Sequence, residues 1–266
     1  MAYDSTLDAA QLDDDAYIAP PPPSAEETPK PVAHWLHTVA LGGVLLLTTL
    51  YGHSRAGEAI VTEAPRIPRY ISTMMLEWLL LGAVIAGVYH RRVFFLTAFR
   101  NRANSVAQCL GLGIVVYILG FMAIAIVGAA LYFTPLFHKR NEAVILAMSP
   151  HTPLEFVFWF GVSLSAGVCE ELIFRGYLQQ QLTAWTRRPV ASIFIAALLF
   201  GSVHLYEGLG AILPLAALAV VYGFVVRHYK GDLRAVIVAH TLQDFIVAFI
   251  VLAKPYLERY QHQLHP

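Results

Sequence analysis

The sequence predicts an all-α bundle of helices that crosses a membrane several times, on three observations. Of the 266 residues, 57% are hydrophobic and 14% charged, against about a quarter charged in soluble globular chains. The apolar residues gather into seven runs, each near the roughly 20 residues a helix needs to cross the hydrocarbon. Inside the last four of these runs lie Glu170, Glu171, His204, His240 and Asp244. Ionisable side chains at that depth are costly and are kept for a cavity, a partner or a reaction.

Taken in order, residues 1–33 carry Asp4, Asp8, Asp13, Asp14, Asp15, Glu26 and Glu27 together with the run Pro20 to Pro23. Such a segment buries too little apolar surface to fold and is expected to be a disordered tail. It lacks the basic start and short apolar core of a cleaved secretory signal, so the first apolar run reads as a retained anchor. The runs fall near 35–51, 71–89, 106–133, 155–182, 190–206, 208–226 and 235–253. The stretch 136–148 leaves room for an eighth, short interfacial or re-entrant piece. The chain thus divides into the tail, N-terminal transmembrane helices over 34–150, site-bearing helices over 151–254 and a short C-terminal tail over 255–266. Trp35, Tyr51, Tyr70 and Tyr89 near run ends read as interfacial anchors.

Formal net charge is zero and no basic block follows residue 35, which argues against nucleic acid as a partner. Cys109 and Cys169 sit in apolar runs and do not suggest a disulfide framework. With the tail on one side, ten Lys and Arg fall on that side and seven on the other, Arg175 set apart. The positive-inside rule then favours a multi-pass protein of the inner or cell membrane with a cytoplasmic N-terminus.

Glu170 and Glu171 diverge by about 100° around a helix and cannot both address one atom. Glu171 and Arg175 are four residues apart, the spacing at which a carboxylate and a guanidinium pair on one helix face, so they read as structural support. Glu170 is left for a cavity. Its side chain leans back over Ala166 and Gly167, whose small size leaves room for a water. A carboxylate in a low-dielectric pocket approaches the basicity of a useful general base. His204 follows Phe200 and Gly201 by one turn and is expected to lean over a ring and a gap, while His240 and Asp244 share a face. Either histidine is able to orient water, donate to an oxyanion or bind a metal. At ~1.5 Å rise per residue, counting from the connections near 183–189 and 231 places Glu170 at ~19 Å depth, His204 at ~22 Å, His240 at ~13 Å and Asp244 at ~19 Å. All four can therefore surround one site.

Glu170-Glu171-x-x-x-Arg175, Phe200-x-x-x-His204 and His240-x-x-x-Asp244, in order on apolar helices, resemble the CPBP family. That family contains the CAAX prenyl endopeptidases and bacteriocin-processing or immunity (Abi-type) proteins. The resemblance covers about residues 155–253. It implies an intramembrane peptidase in which Glu170 activates water together with His204, and His240 with residue 244 stabilises the oxyanion. Relatives ending the last motif in Asn can donate an amide N–H, whereas an ionised Asp only accepts. Asp244 is therefore protonated, orients His240 or ligates a metal. Glu170, His204, His240 and Asp244 also form a possible Zn²⁺ set, although the favoured glutamate mechanism requires no cofactor.

The expected function is hydrolysis of peptide bonds in membrane-associated protein or peptide substrates, in a cavity formed by the last four helices and open toward the cytoplasm. Glu77, alone in its run, reads as a satisfied polar contact at least as readily as part of the site. No His-Glu-x-x-His or Gly-x-Ser-x-Gly pattern suggests a zincin or a serine nucleophile. Two rival readings are a non-catalytic binding or immunity protein of the same fold and a proton-coupled transporter. No inverted repeat with broken helices supports the transporter.

Overall fold

Each of the seven apolar runs becomes a helix, and two short helices join them in a computed structural model that describes residues 29–61, 65–99, 105–135 and 142–264. In chain order the elements are α1 (Trp35–Val61), α2 (Arg66–Gly87), α3 (Arg91–Ala98), α4 (Val106–Leu131) and α5 (Glu142–Met148). They continue with α6 (Pro153–Thr186), then α7 (Pro189–Val203), α8 (Leu209–His228) and α9 (Arg234–Leu264). Five are long and apolar enough to cross a membrane: α1 over Trp35–Gly57, α2, α4, α6 and α8. The fold is an all-α polytopic bundle. Among the described residues the one extended contact is an isolated antiparallel bridge between Ala33 and Val88.

That bridge moves the boundary of the N-terminal tail. Residues 1–28 lie outside the described residues, but Val32 and Ala33 are built into the bundle. Both donate their N–H groups to Gln181 Oε1, at 2.7 and 3.1 Å, and Gln181 Nε2 donates back to the Ala33 carbonyl at 2.8 Å. A buried amide that matches a backbone donor and acceptor is cheaper than one left unpaired. At the other end, α9 runs on to Leu264, so the segment expected as a tail from 255 extends the helix. Between Leu136 and Met148, residues 142–148 form α5; 136–141 lie outside the described residues. Tyr70 is no interfacial anchor. It is buried, donates to the Met148 carbonyl at 2.5 Å and meets Trp159 edge-on at 5.7 Å, tying α2 to α5 and α6.

The start of α6 is set locally. Thr152 accepts from the Glu155 N–H at 3.3 Å, and the Glu155 carboxylate accepts from Thr152 N–H at 3.1 Å. This reciprocal cap, with Pro153 in the first turn, satisfies donors that hydrocarbon would leave bare. Once the start is fixed, the depth of every α6 residue follows from the rise of the helix.

α8 packs on α7 and α4, α9 on α4 and α6, and α2 on α6. Lipid supplies no hydrophobic drive between helices, so close approach at small residues carries the packing. A Cβ on Gly167 would lie 2.5 Å from Thr241 Oγ1 and 3.0 Å from the Ile237 carbonyl of α9. One on Gly201 would strike the Ile212 carbonyl of α8 and lie 3.1 Å from Ala216 N. The spaces expected at these glycines for a water and for the His204 ring are filled by neighbouring helices.

Candidate active site

Just after the paired glutamates, α6 widens into a π-helical turn over Leu172–Leu178, all of it buried. Such turns concentrate at functional sites. Glu171 is fully buried, and one of its oxygens, Oε1, accepts from Arg175 at 2.8 Å and from His240 Nδ1 at 2.7 Å. The Arg175 guanidinium lies 4.4 Å from the centre of the Phe200 ring and 5.4 Å from that of Tyr222, a further stabilising contact for a desolvated cation. Side chains of α6, α7, α8 and α9 thus meet in one knot. The spacing argument anticipated the Glu171–Arg175 pair but not the link to His240.

Glu170 turns the other way. Its side chain is 22% exposed, and its Oε2 lies 3.9 Å from His240 Nε2, while Asp244 Oδ2 is 3.4 Å from the same nitrogen. Adjacent glutamates indeed serve different atoms, yet the two atoms belong to one imidazole. An ionised carboxylate only accepts, so Nδ1 of His240 carries the hydrogen directed at Glu171. That bond fixes the ring with Nε2 toward Glu170 and Asp244.

His204 caps the C-terminal end of α7. Its Nδ1 is 2.9 Å from the Phe200 carbonyl; a carbonyl only accepts, so Nδ1 donates and Nε2 of the neutral ring keeps its lone pair. The Phe200 ring centre is 4.8 Å from that of His204 and 5.8 Å from that of His240. Phe200 therefore neighbours both imidazoles and supports Arg175 on the same ring. Glu170, Glu171, His204, His240 and Asp244 all fall in this one neighbourhood.

A cavity of about 550 Å³ opens beside them, lined by Glu170 and His204 and, from the first two helices, by Arg55, Arg69 and Glu77. This corrects the expectation that the last four helices form the cavity. Its α1 lining runs from Leu45 to Ala56 and its α2 lining from Arg69 to Leu80, the halves of those helices nearest their mutual connection. The cavity thus lies toward the membrane face opposite the N-terminal tail. Glu77 makes the polar contact expected of it, accepting from Ser165 Oγ at 2.5 Å, and also lines the same cavity as Glu170. The signal for it was present, since a lone carboxylate in a spanning segment points to function by default.

The possible zinc set does not form as the side chains stand. Among the described residues no three His, Cys, Asp or Glu are gathered so as to hold a metal. His204 and His240 each commit Nδ1 to a protein acceptor, which leaves one nitrogen apiece.

Fold and site together define an integral membrane protein that collects carboxylates and imidazoles within its span. Residues 151–246, which span α6 to α8 and the first part of α9, match the family model described as Rce1-like, type II CAAX prenyl endopeptidase Rce1-like, of the CPBP family. The family acts on membrane-associated protein substrates. No curated protein and no solved structure matches the chain.

Proposed function

We propose that the protein is an intramembrane endopeptidase that cleaves membrane-associated protein or peptide substrates with water activated by Glu170. The observation that carries the reading is His240, held at Nδ1 by Glu171 at 2.7 Å and facing Glu170 and Asp244 with Nε2, beside a cavity that Glu170 itself lines.

Glu170 takes a proton from a water in the cavity, and His204 Nε2, with its lone pair free, accepts a hydrogen bond from the same water and aims it. The hydroxide adds to the scissile carbonyl. The resulting oxyanion needs a donor, and His240 can be one only as an imidazolium, because its neutral form with Nδ1–H spent on Glu171 has a bare Nε2. Asp244 balances that imidazolium and orients it. No step requires a metal; stoichiometric zinc in purified protein, lost with activity in His204→Ala, would overturn this part.

The test compares membrane-protein termini by mass spectrometry in cells carrying wild type, Glu170→Gln or no gene. New termini restricted to wild type are expected, and they name the substrate class, including whether it ends in a prenylated cysteine motif. Identical termini in all three, with the variant well expressed, would favour a binding or immunity protein; proton-coupled uptake in vesicles would favour a transporter. If the tail is cytoplasmic, as the charge count favours, the cavity faces the opposite compartment. Cysteines substituted for Arg55 and for Arg91 are expected to react with a membrane-impermeant thiol reagent from opposite faces.

A further inference from the structure

We propose that Glu77 of α2 is a second acid–base residue of this site, the group that delivers a proton to the departing amine. The proposal rests on the hydrolytic reading and adds to it a residue outside the matched segment 151–246.

Glu77 stands mid-way along a spanning helix, where a carboxylate is costly without a partner or a task. Its one hydrogen-bond partner among the described residues is the Ser165 hydroxyl, which holds Oε2 at 2.5 Å and leaves Oε1 for the cavity. The nearest cation on its own helix that lines the cavity, Arg69, is eight residues away, about 12 Å along the axis. Glu170 lines the same cavity, and the interaction between the two carboxylates is repulsive. Two carboxylates sharing a low-dielectric space settle with one proton between them, the arrangement in which one acts as base and the other as acid.

Peptide hydrolysis has use for both. The water proton goes to Glu170 as the new C–O bond forms. The C–N bond then breaks with its electron pair on nitrogen, which must take up a proton to leave as an amine. Glu77, as the carboxylic acid, supplies it and becomes the carboxylate. Glu170 returns its proton through cavity water to Glu77, and both groups are restored.

A purely structural Glu77 would instead pin α2 to α6 through Ser165, and two variants separate the roles. Glu77→Gln keeps an acceptor for Ser165 and removes the acid; Ser165→Ala removes the pin and keeps the acid. The probes are an internally quenched farnesylated peptide ending in a Cys-aliphatic-aliphatic-X motif and its depsipeptide, in which oxygen replaces the scissile N–H and the alcohol leaves far more readily than an amine. With wild type cleaving both, Glu77→Gln is expected to lower kcat on the peptide about 10²-fold, in the range of general acid catalysis, with KM and melting temperature unchanged, and to cleave the depsipeptide within about threefold of wild type. Ser165→Ala is expected to keep most of its kcat. A Glu77→Gln variant equally fast on the peptide, or equally impaired on both probes, overturns the proposal and leaves the hydrolytic reading standing. Wild type cleaving neither probe, with no termini in cells that depend on the wild-type gene, sinks both.

Discussion

The inner face of α6 and its cavity face carry the same residue type at adjacent positions, and their surroundings differ in kind. On the inner face Glu171 is fully buried, with Arg175 and His240 both on one oxygen. On the cavity face Glu170 is 22% exposed and, among the described residues, makes no ion-pair contact closer than the 3.9 Å to His240. One step along a helix is about 100° of rotation, enough to send one carboxylate into a structural knot and leave the other facing a space where water and substrate fit. A membrane makes the division sharp, since a charge there is stable only when paired or when it borders an aqueous cavity. On the proposed reading, the knot carries the fold and the cavity carries the chemistry.

If that division holds, variants on the two faces should fail differently. The largest effect is expected from Glu170→Gln, a loss of about 10³-fold or more in turnover, equivalent to about 4 kcal/mol of transition-state stabilisation, with an unchanged melting temperature in detergent. Retained turnover would remove Glu170 from the role. Next comes Arg175→Met, which strands Glu171 in the core; breaking a buried ion pair from one side costs about 3–5 kcal/mol, to be read as a fall in melting temperature and folded yield. A protein as stable as wild type would show that the knot is not what holds α6 to α9.

Gly167→Ala sharpens the comparison at the helix contact behind the glutamates. The added methyl must displace Thr241 or shift α9, and overpacking of this kind costs about 1–3 kcal/mol. Because α9 carries His240 and Asp244, this variant should lose activity as well as stability, unlike either glutamate variant. The smallest effect is expected from Tyr70→Phe, which forfeits one hydrogen bond to the Met148 carbonyl and costs about 1 kcal/mol. Turnover per folded molecule should be unchanged, as measured on active-site-titrated protein.

Much of this was legible in the chain. Apolar runs marked seven of the helices because hydrocarbon admits little else, and the i, i+4 spacing of Glu171 and Arg175 foretold their contact. Counting residues from the connections brought Glu170, His204, His240 and Asp244 to a common depth because helical rise is nearly constant. The walls of the cavity were not legible. Arg55, Arg69 and Glu77 come from helices that share no motif with the last four, and nothing in their local spacing says which neighbour they will face.

The sequence by itself determined the class of fold, the segments that become its main helices and the divergence of the adjacent glutamates. All of these follow from periodicity and from the cost of charge in lipid, which act along one segment at a time. Only the tertiary structure decided that Glu171 reaches His240, that Gly167 and Gly201 are filled by neighbouring helices, and that α1 and α2 close the cavity on the face opposite the tail. These depend on how helices pack side by side, and packing is a property of pairs of segments, set by surfaces that meet only once the chain has folded.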